Sequence, residues 1–242
     1  MALELYFTPL CWLQSPKMEA VKNIKWTLRK QVKSRLSKIS QTSLLRQGQL
    51  AAKTVSQIPE FQRARNIGLY MNLPEDELPT EDLIKKCFDT HKGLYLPRVT
   101  PLNKFNDTPR FHKQRAILRF LKVDSLTEVN SLIPRGKYQI REPEFKAESG
   151  EIRNDLLISN EKLDILFVPG LAFSKDCKRL GHGAGFYDDF IKRYYENYHE
   201  RPILVGIGLE EQLVSGEWLH TEEHDETLDY VILADKIYKR SN

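Results

Sequence analysis

The chain has 242 residues, 40% of them hydrophobic and 29% charged, with a formal net charge of +4. That suits one α/β domain, or a domain with a small appendage, and argues against a dedicated nucleic-acid binder. No apolar stretch is long enough to span a membrane, and the three cysteines, Cys11, Cys87 and Cys177, show neither disulfide nor zinc-ribbon spacing and fit a reducing compartment.

Residues 1–17, MALELYFTPLCWLQSPK, lack the basic start and small-residue cleavage site of a secretory signal. They also lack the arginine and serine richness of a mitochondrial presequence. A poorly ordered extension over 1–17 and a folded domain over 18–242 are expected, with Met18 an alternative start. The cytoplasm is the expected compartment and the mitochondrion the alternative.

Val21, Ile24, Leu28, Val32, Leu36 and Ile39 recur every three or four residues, which predicts an amphipathic helix. Its other faces are basic: Lys22, Lys25, Arg29, Lys30, Lys33, Arg35 and Lys38. A second helical pattern runs from about Leu44 to Ile58 and stops before Pro59. Asn66 to Asn72 reads as a strand, Glu81 to Phe88 as a helix and Gly93 to Arg98 as a second strand, which is one βαβ unit with a parallel pair. Polar residues from Thr100 to Gln114 predict a loop or hairpin tip, and Ala116 to Val123 a further strand. Glu142 to Lys162 is charged and aperiodic, a long surface connection. Apolar runs at Ile165 to Val168, Pro202 to Leu209 and Tyr230 to Ala234 complete a single open, mainly parallel sheet with helices on both faces, preceded by the basic helix.

The run from Ile165 to Phe190 reads as an anion site assembled in chain order. A buried strand ends at Pro169-Gly170, and a basic loop with Lys175, Lys178 and Arg179 follows. Then come Gly181, Gly183 and Gly185, and a helix-like segment from Phe186 to Tyr195. Glycines let backbone N–H groups close on a ligand, and the helix start aims its unpaired N–H groups at the same spot. The spacing matches neither GxxxxGK[ST] nor GxGxxG. By itself it leaves a phosphate site and a merely tight strand-to-helix connection both open.

The literal string says more. RLGHGAGFYDDF resembles the RLG(R/Y)GxGYYD signature of the 5-formyltetrahydrofolate cyclo-ligase family, and the preceding LDILFVPGLAF resembles the strand that leads into it. KNIKWTLRKQVKSRL resembles the family's KxxLR opening, and LYMNLPEDELPTEDLI its strand, acidic loop and Thr-capped helix. The resemblance spans Lys22 to Ala234. It implies ATP- and Mg²⁺-dependent conversion of 5-formyltetrahydrofolate, with or without a polyglutamate tail, to 5,10-methenyltetrahydrofolate, ADP and phosphate. No nucleic acid and no membrane are expected as partners, and a monomer is expected.

Residue by residue, the resemblance implies that Lys25 and Arg29 reach the nucleotide phosphates, with Trp26, Thr27 and Leu28 between them. It adds Arg179, Leu180, Gly181, His182, Gly183, Ala184, Gly185, Phe186 and Tyr187 to the ATP site, with Arg179 and Lys25 acting in catalysis. For the folate it implies Met71 and Glu77 together with Arg29, His182, Gly183, Ala184, Gly185 and Phe186. An inserted residue leaves Glu75 a rival to Glu77. A carboxylate suits a pterin, whose N3–H and 2-amino group form a paired donor edge. Asp188 and Asp225 are the implied Mg²⁺ ligands, and Asp229 a further acid with a structural role. His182 replaces the family's arginine or tyrosine, and Phe186 its first tyrosine.

Plainer readings stand beside these. Lys25 and Arg29, at i and i+4, could belong to a solvated basic face, and the acidic loop before Glu81 could serve only to cap a helix from Thr80. His220 and His224 have HxxxH spacing but lack a third soft ligand, so a zinc site is not favoured. Cys177 has no assigned base and reads as incidental. The rival function is a non-catalytic folate- or RNA-binding relative, but Trp26 is the lone aromatic in the middle of the basic helix.

Overall fold

The computed structural model describes residues 16–73, 75–136, 139–219 and 225–241, with side chains from Val21 onward. Helix α1 (Pro16–Leu36) begins two residues before the expected boundary at 18. Leu28, Val32 and Leu36 enter the core, whereas Ile24 is 41% exposed and leaves the predicted stripe. Helix α2 (Gln41–Val55) starts earlier than its apolar pattern, because the Ser40 side chain accepts from the Ser43 N–H at 3.2 Å and caps it there. It also ends earlier, at Val55. Pro59 then opens a short helix, α3 (Pro59–Arg63), that the sequence reading did not contain. Proline fixes φ and needs no N–H donor, so it breaks one helix and suits the first turn of the next.

Strand β1 (Asn66–Gly68) is shorter than the apolar run predicted. It leads through helix α4 (Glu81–Asp89) to β2 (Gly93–Pro101), which pairs parallel to it. The expected hairpin tip joins β2 to β3 (Ala116–Val123), antiparallel to it. After α5 (Leu126–Ser131) and a long connection come β4 (Ile165–Val168), α6 (Phe186–Tyr198), β5 (Ile203–Gly208), β6 (Tyr230–Leu233) and β7 (Lys236–Lys239). Among the described residues these strands form one sheet in the order β7-β6-β5-β4-β1-β2-β3, parallel except at its two edge pairs.

The sheet is covered on both faces, which is why its central strands read as unbroken apolar runs. Alternate residues point opposite ways. Ile67, Leu94, Ile165, Phe167 and Val205 pack with Leu28, Val32, Ala51 and Leu83 of α1, α2 and α4. Tyr95, Phe120, Leu166, Val168 and Leu204 pack with Phe190, Ile191 and Tyr194 of α6. The connection over 142–162 is not wholly a surface one, because Asp155 and Leu156 are buried. Arg119, itself buried on β3, bonds Asp155 at 2.5 Å and Asp107 at 2.6 Å; an interior guanidinium needs such partners. No described helix is long and apolar enough to cross a membrane.

Chain order places the site. From β1 the chain steps outward to β2 and β3; it later returns to β4 on the other side of β1 and proceeds through β5 to β6. The strand order therefore reverses between β1 and β4. In open α/β sheets, the crevice beyond the carboxyl ends of such a strand pair is where ligands bind.

Candidate active site

Two loops leave that reversal point: the acidic loop 72–80 after β1, and residues 169–185 after β4. In the second, Ala172–Phe173 pairs with Arg179–Leu180 as a small hairpin, which delivers the glycine run to the start of α6. Gly183 has φ +103 and Gly185 φ +70, conformations that side-chain-bearing residues rarely adopt. Gly185 is the N-cap of α6 and has no side-chain cap, so the first N–H groups of the helix are left uncapped, with Asp188 and Asp189 the acids of its first turn. His182, Gly183, Ala184 and Gly185 are all exposed.

Helix α1 crosses over this loop. The Arg29 Nε donates to the Gly181 carbonyl at 3.0 Å, and an Arg29 terminal nitrogen lies 3.6 Å from where a Cβ on Gly183 would stand. The Lys25 ammonium pairs with Asp225 at 3.1 Å. Lys25 and Arg29 therefore turn inward, one toward the late acidic segment and the other toward the glycine loop. Burial lowers the Arg29 pKa, opposed by the negative charge of Asp225.

A second set of bonds closes the circuit. One terminal nitrogen of Arg179 donates to both oxygens of Asp188, at 2.7 and 2.8 Å, and the other donates to the Pro169 carbonyl at 3.3 Å. Asp188 Oδ1 also accepts from the Glu226 N–H at 3.3 Å. A chain of contacts thus runs from Lys25 to Asp225, through the adjacent Glu226 backbone to Asp188, and on to Arg179. Residues 200 positions apart in sequence meet at one spot.

The acidic loop supplies the opposite wall. Met71 is buried and Glu77 is 8% exposed, while Glu75 is exposed. Glu77 Oε2 accepts from the Leu73 N–H at 2.7 Å. Burial outweighs that bond and pushes the carboxyl pKa up to about 7. Tyr187 packs against the cores on both sides of the sheet and meets Phe120 edge-on at 6.2 Å. Burial raises its hydroxyl pKa and the negative charge of Glu77 raises it further. Phe186 is half-buried beside it. Thr80 occupies the N-cap of α4 as expected, yet its hydroxyl does not cap the helix and bonds Asn72 instead.

Two implied ATP contacts do not face the crevice by side chain. Leu28 and Leu180 are both buried in the core, because each is the apolar residue that seats its segment against the sheet. Trp26 is 57% exposed, with the Lys30 ammonium 4.0 Å over its ring, and Thr27 is exposed beside it. Cys177 is buried, and its thiol, pushed up to about 11 mainly by burial, lies nearest the carbonyls of Asp229 and Tyr238. Asp229 takes two bonds from Arg201, at 2.7 and 2.8 Å, and one from the Leu204 N–H at 2.9 Å, a brace for β5. His220 and His224 lie outside the described residues. Two hollows, of about 350 and 450 Å³, lie away from the glycine loop: one beside α6 and Glu226, the other at the opposite end of the sheet by His91 and Lys122.

Sequence reasoning missed four participants: Tyr70 and Asn72, which bond within the acidic loop, Glu226, whose N–H bonds Asp188, and Lys33, whose charge acts on His182. Lys33 alone carried a signal, since it follows Arg29 by one helical turn on the same face.

A strand-end crevice with a glycine-rich helix start on one wall, a buried carboxylate on the other and inward-turned basic groups defines a class: α/β proteins that handle phosphate beside a small organic substrate. Comparison with known proteins narrows the class. The model of the 5-formyltetrahydrofolate cyclo-ligase family matches residues 21–234. The chain is similar to the 5-formyltetrahydrofolate cyclo-ligase of Saccharomyces cerevisiae, 32% identical over 214 residues that cover 87% of this chain and 95% of that one. It is 29% identical to the Mus musculus protein of the same name, over 89% of this chain and 96% of that one. In fold it is similar to the NMR structure of Aquifex aeolicus 5,10-methenyltetrahydrofolate synthetase, with a TM-score of 0.67 at 23% identity, covering 90% of this chain and 94% of that one. The chain belongs to the 5-formyltetrahydrofolate cyclo-ligase family.

Proposed function

We propose that this crevice carries out the family's reaction, the ATP-dependent closure of 5-formyltetrahydrofolate to 5,10-methenyltetrahydrofolate with release of ADP and phosphate. One observation carries it: the circuit from Lys25 through Asp225, Glu226 and Asp188 to Arg179 brings three separate motifs to the mouth of the glycine loop. A non-catalytic RNA-binding relative is not favoured, because Lys25 and Arg29 are turned into the crevice and not outward along a basic platform.

An N-formyl oxygen is a poor leaving group, and transfer of the γ-phosphoryl of ATP onto it converts it to a good one. The N10 nitrogen then attacks the formyl carbon, phosphate leaves with the oxygen, and N10 loses its proton. Such transfer depends on positioning and charge neutralisation more than on a protein nucleophile. The loop N–H groups, Arg179, Arg29 and Lys25 would surround the phosphates, while Glu77 orients the pterin and Met71 and Phe186 offer it apolar contact. Glu77 is preferred to Glu75 because it is the carboxylate directed inward. The buried Cys177 takes no part.

The donor set suits Mg²⁺, which prefers one or two carboxylates completed by waters and phosphate oxygens. Asp188 and Asp225, linked through the Glu226 N–H, supply those carboxylates. Their charge is met by Arg179 and Lys25. Mg²⁺ bound there would supply charge neutralisation at the transferred phosphoryl group. The buried, free thiols of Cys87 and Cys177 accord with a reducing compartment such as the cytoplasm.

The assay follows directly. Purified protein is expected to convert 5-formyltetrahydrofolate, followed by the absorbance of the methenyl product, only with ATP and Mg²⁺ present. EDTA should stop it. Turnover undiminished without ATP would refute the assignment.

His182 is expected to respond to pH. Although much of its surface is open, burial on its protein side holds its pKa below the usual 6.5. Repulsion from Lys33, Arg29 and Arg179 adds to that. Incoming phosphates would raise it again, so the imidazole should help ATP bind as pH falls toward mildly acidic values. The ATP KM should show that acid-side gain in the native protein, a flat profile in His182→Arg and no gain in His182→Ala. Three parallel profiles would mean that His182 does not meet the phosphates.

A further inference from the structure

The acidic loop is held shut by side chains to which the reaction gives no role. Asn72 Oδ1 accepts from both the backbone N–H and the hydroxyl of Thr80, each at 3.2 Å. The Asn72 amide nitrogen donates to the Leu73 carbonyl at 3.0 Å. The N–H of that same Leu73 donates to Glu77 at 2.7 Å. Beneath the loop, the buried Tyr70 hydroxyl donates to the carbonyl of Leu78, the residue after Glu77, at 3.4 Å. Asp76 takes a left-handed turn, φ 62, which aspartate tolerates better than most residues.

These bonds are dear to the local structure. Thr80 is fully buried at the N-cap of α4, where its hydroxyl would ordinarily serve the helix's own N–H groups. The hydroxyl instead reaches back eight residues to Asn72 and closes the loop into a ring. What the ring encloses is Glu77, a carboxylate held in a protein interior by the Leu73 N–H.

We infer that Asn72 and Thr80 form a clasp that fixes the Glu77 carboxylate for the folate, and that both are positioning residues for this substrate. The inference rests on the reading of Glu77 as the pterin ligand. A paired donor edge is recognised only by a carboxylate held in plane with it, and small displacements of such a group are costly. The clasp pins residue 73 through its carbonyl and residue 80 through its N–H, so Glu77 is tethered on both sides.

Steady-state kinetics with both substrates test this. Asn72→Ala and Thr80→Val should each raise the folate KM about tenfold and leave the ATP KM unchanged. Thr80→Ser, which keeps the hydroxyl, should behave as the native protein. In a Glu77→Gln background, Asn72→Ala should add little, because the group it positions is already lost. Should Asn72→Ala fail to fold, the near-isosteric Thr80→Val against Thr80→Ser carries the comparison. Equal rises in both KM values, or effects of Asn72→Ala and Glu77→Gln that multiply, would overturn the clasp. An unchanged folate KM in Glu77→Gln would overturn the reading of Glu77, and the clasp with it; a raised one, beside an unchanged Asn72→Ala, would overturn the clasp alone.

Discussion

Replacing Arg179 by alanine is expected to lower kcat about 10³-fold, the scale on which an arginine facing a transferred phosphoryl group acts. This guanidinium is engaged with Asp188 and the Pro169 carbonyl, and its side chain is 7% exposed. Those bonds fix its orientation, and a charge held by fixed partners is effective at a transferred phosphoryl group. Arg179→Lys should recover only a small part of the loss, since an ammonium is a point charge without a planar fork. The substitution also strands Asp188, a mostly buried carboxylate, so its effect on folding has to be separated from its effect on chemistry. Asp188→Asn does that: it breaks the same ion pair but leaves the guanidinium in place. It should weaken Mg²⁺ binding, read by the Mg²⁺ concentration that supports half-maximal rate and by calorimetric titration. Rates at saturating substrates, together with melting temperatures of both variants, decide the matter. An Arg179→Ala protein within fivefold of native kcat would remove Arg179 from the reaction.

Glu77→Gln is expected to weaken folate binding and to stabilise the empty protein. The carboxyl is buried, and its pKa is pushed up from 4.5 to about 7 by that burial. An unfolded chain ionises it at the lower value. Between the two values the folded state holds a proton that the unfolded state has released, so stability falls as pH rises through this window. Above about pH 7 the folded protein carries the full cost of an ionised interior carboxylate, at most about 3 kcal/mol. Glutamine has the same shape and can keep the bond from the Leu73 N–H, but it cannot ionise. Its melting temperature should exceed that of the native protein at pH 8, by a margin that shrinks as pH falls and closes below about pH 4.5. The folate KM should rise by a factor of about 10 to 100, as loss of a charge-assisted bond implies. In the native protein that KM should improve as pH climbs through 7. Melting curves for the two proteins that stay parallel from pH 5 to pH 8 would mean that Glu77 is not ionising in the interior.

Period and punctuation made much of this fold legible in the sequence. The βαβ unit, the hairpin after β2 and the buried β4 were readable because residues on a covered sheet must be apolar on both faces, and because glycine and proline mark the ends. The glycine run was readable as a strand-to-helix turn, and its literal string as a family signature. Where local rules failed, a distant partner had won. Ile24 fits the helical stripe of α1 but lies beyond the edge of the core, and Thr80 has the chemistry of a cap but is taken by Asn72.

The site itself needed the tertiary structure. No sequence period links Lys25 to Asp225, or joins Arg179 through Asp188 to Glu226; the crossing of α1 over the loop after β4 does so. Our preference for Glu77 over Glu75 as the folate carboxylate likewise rests on burial that the loop alone decides, Glu77 being buried and Glu75 exposed. Sequence sets which residues are apolar, charged or free to turn, and these are properties of neighbours along the chain. Whether a charge ends in solvent, on a ligand or against another charge depends on which segments the sheet order brings together, and only the folded chain decides that.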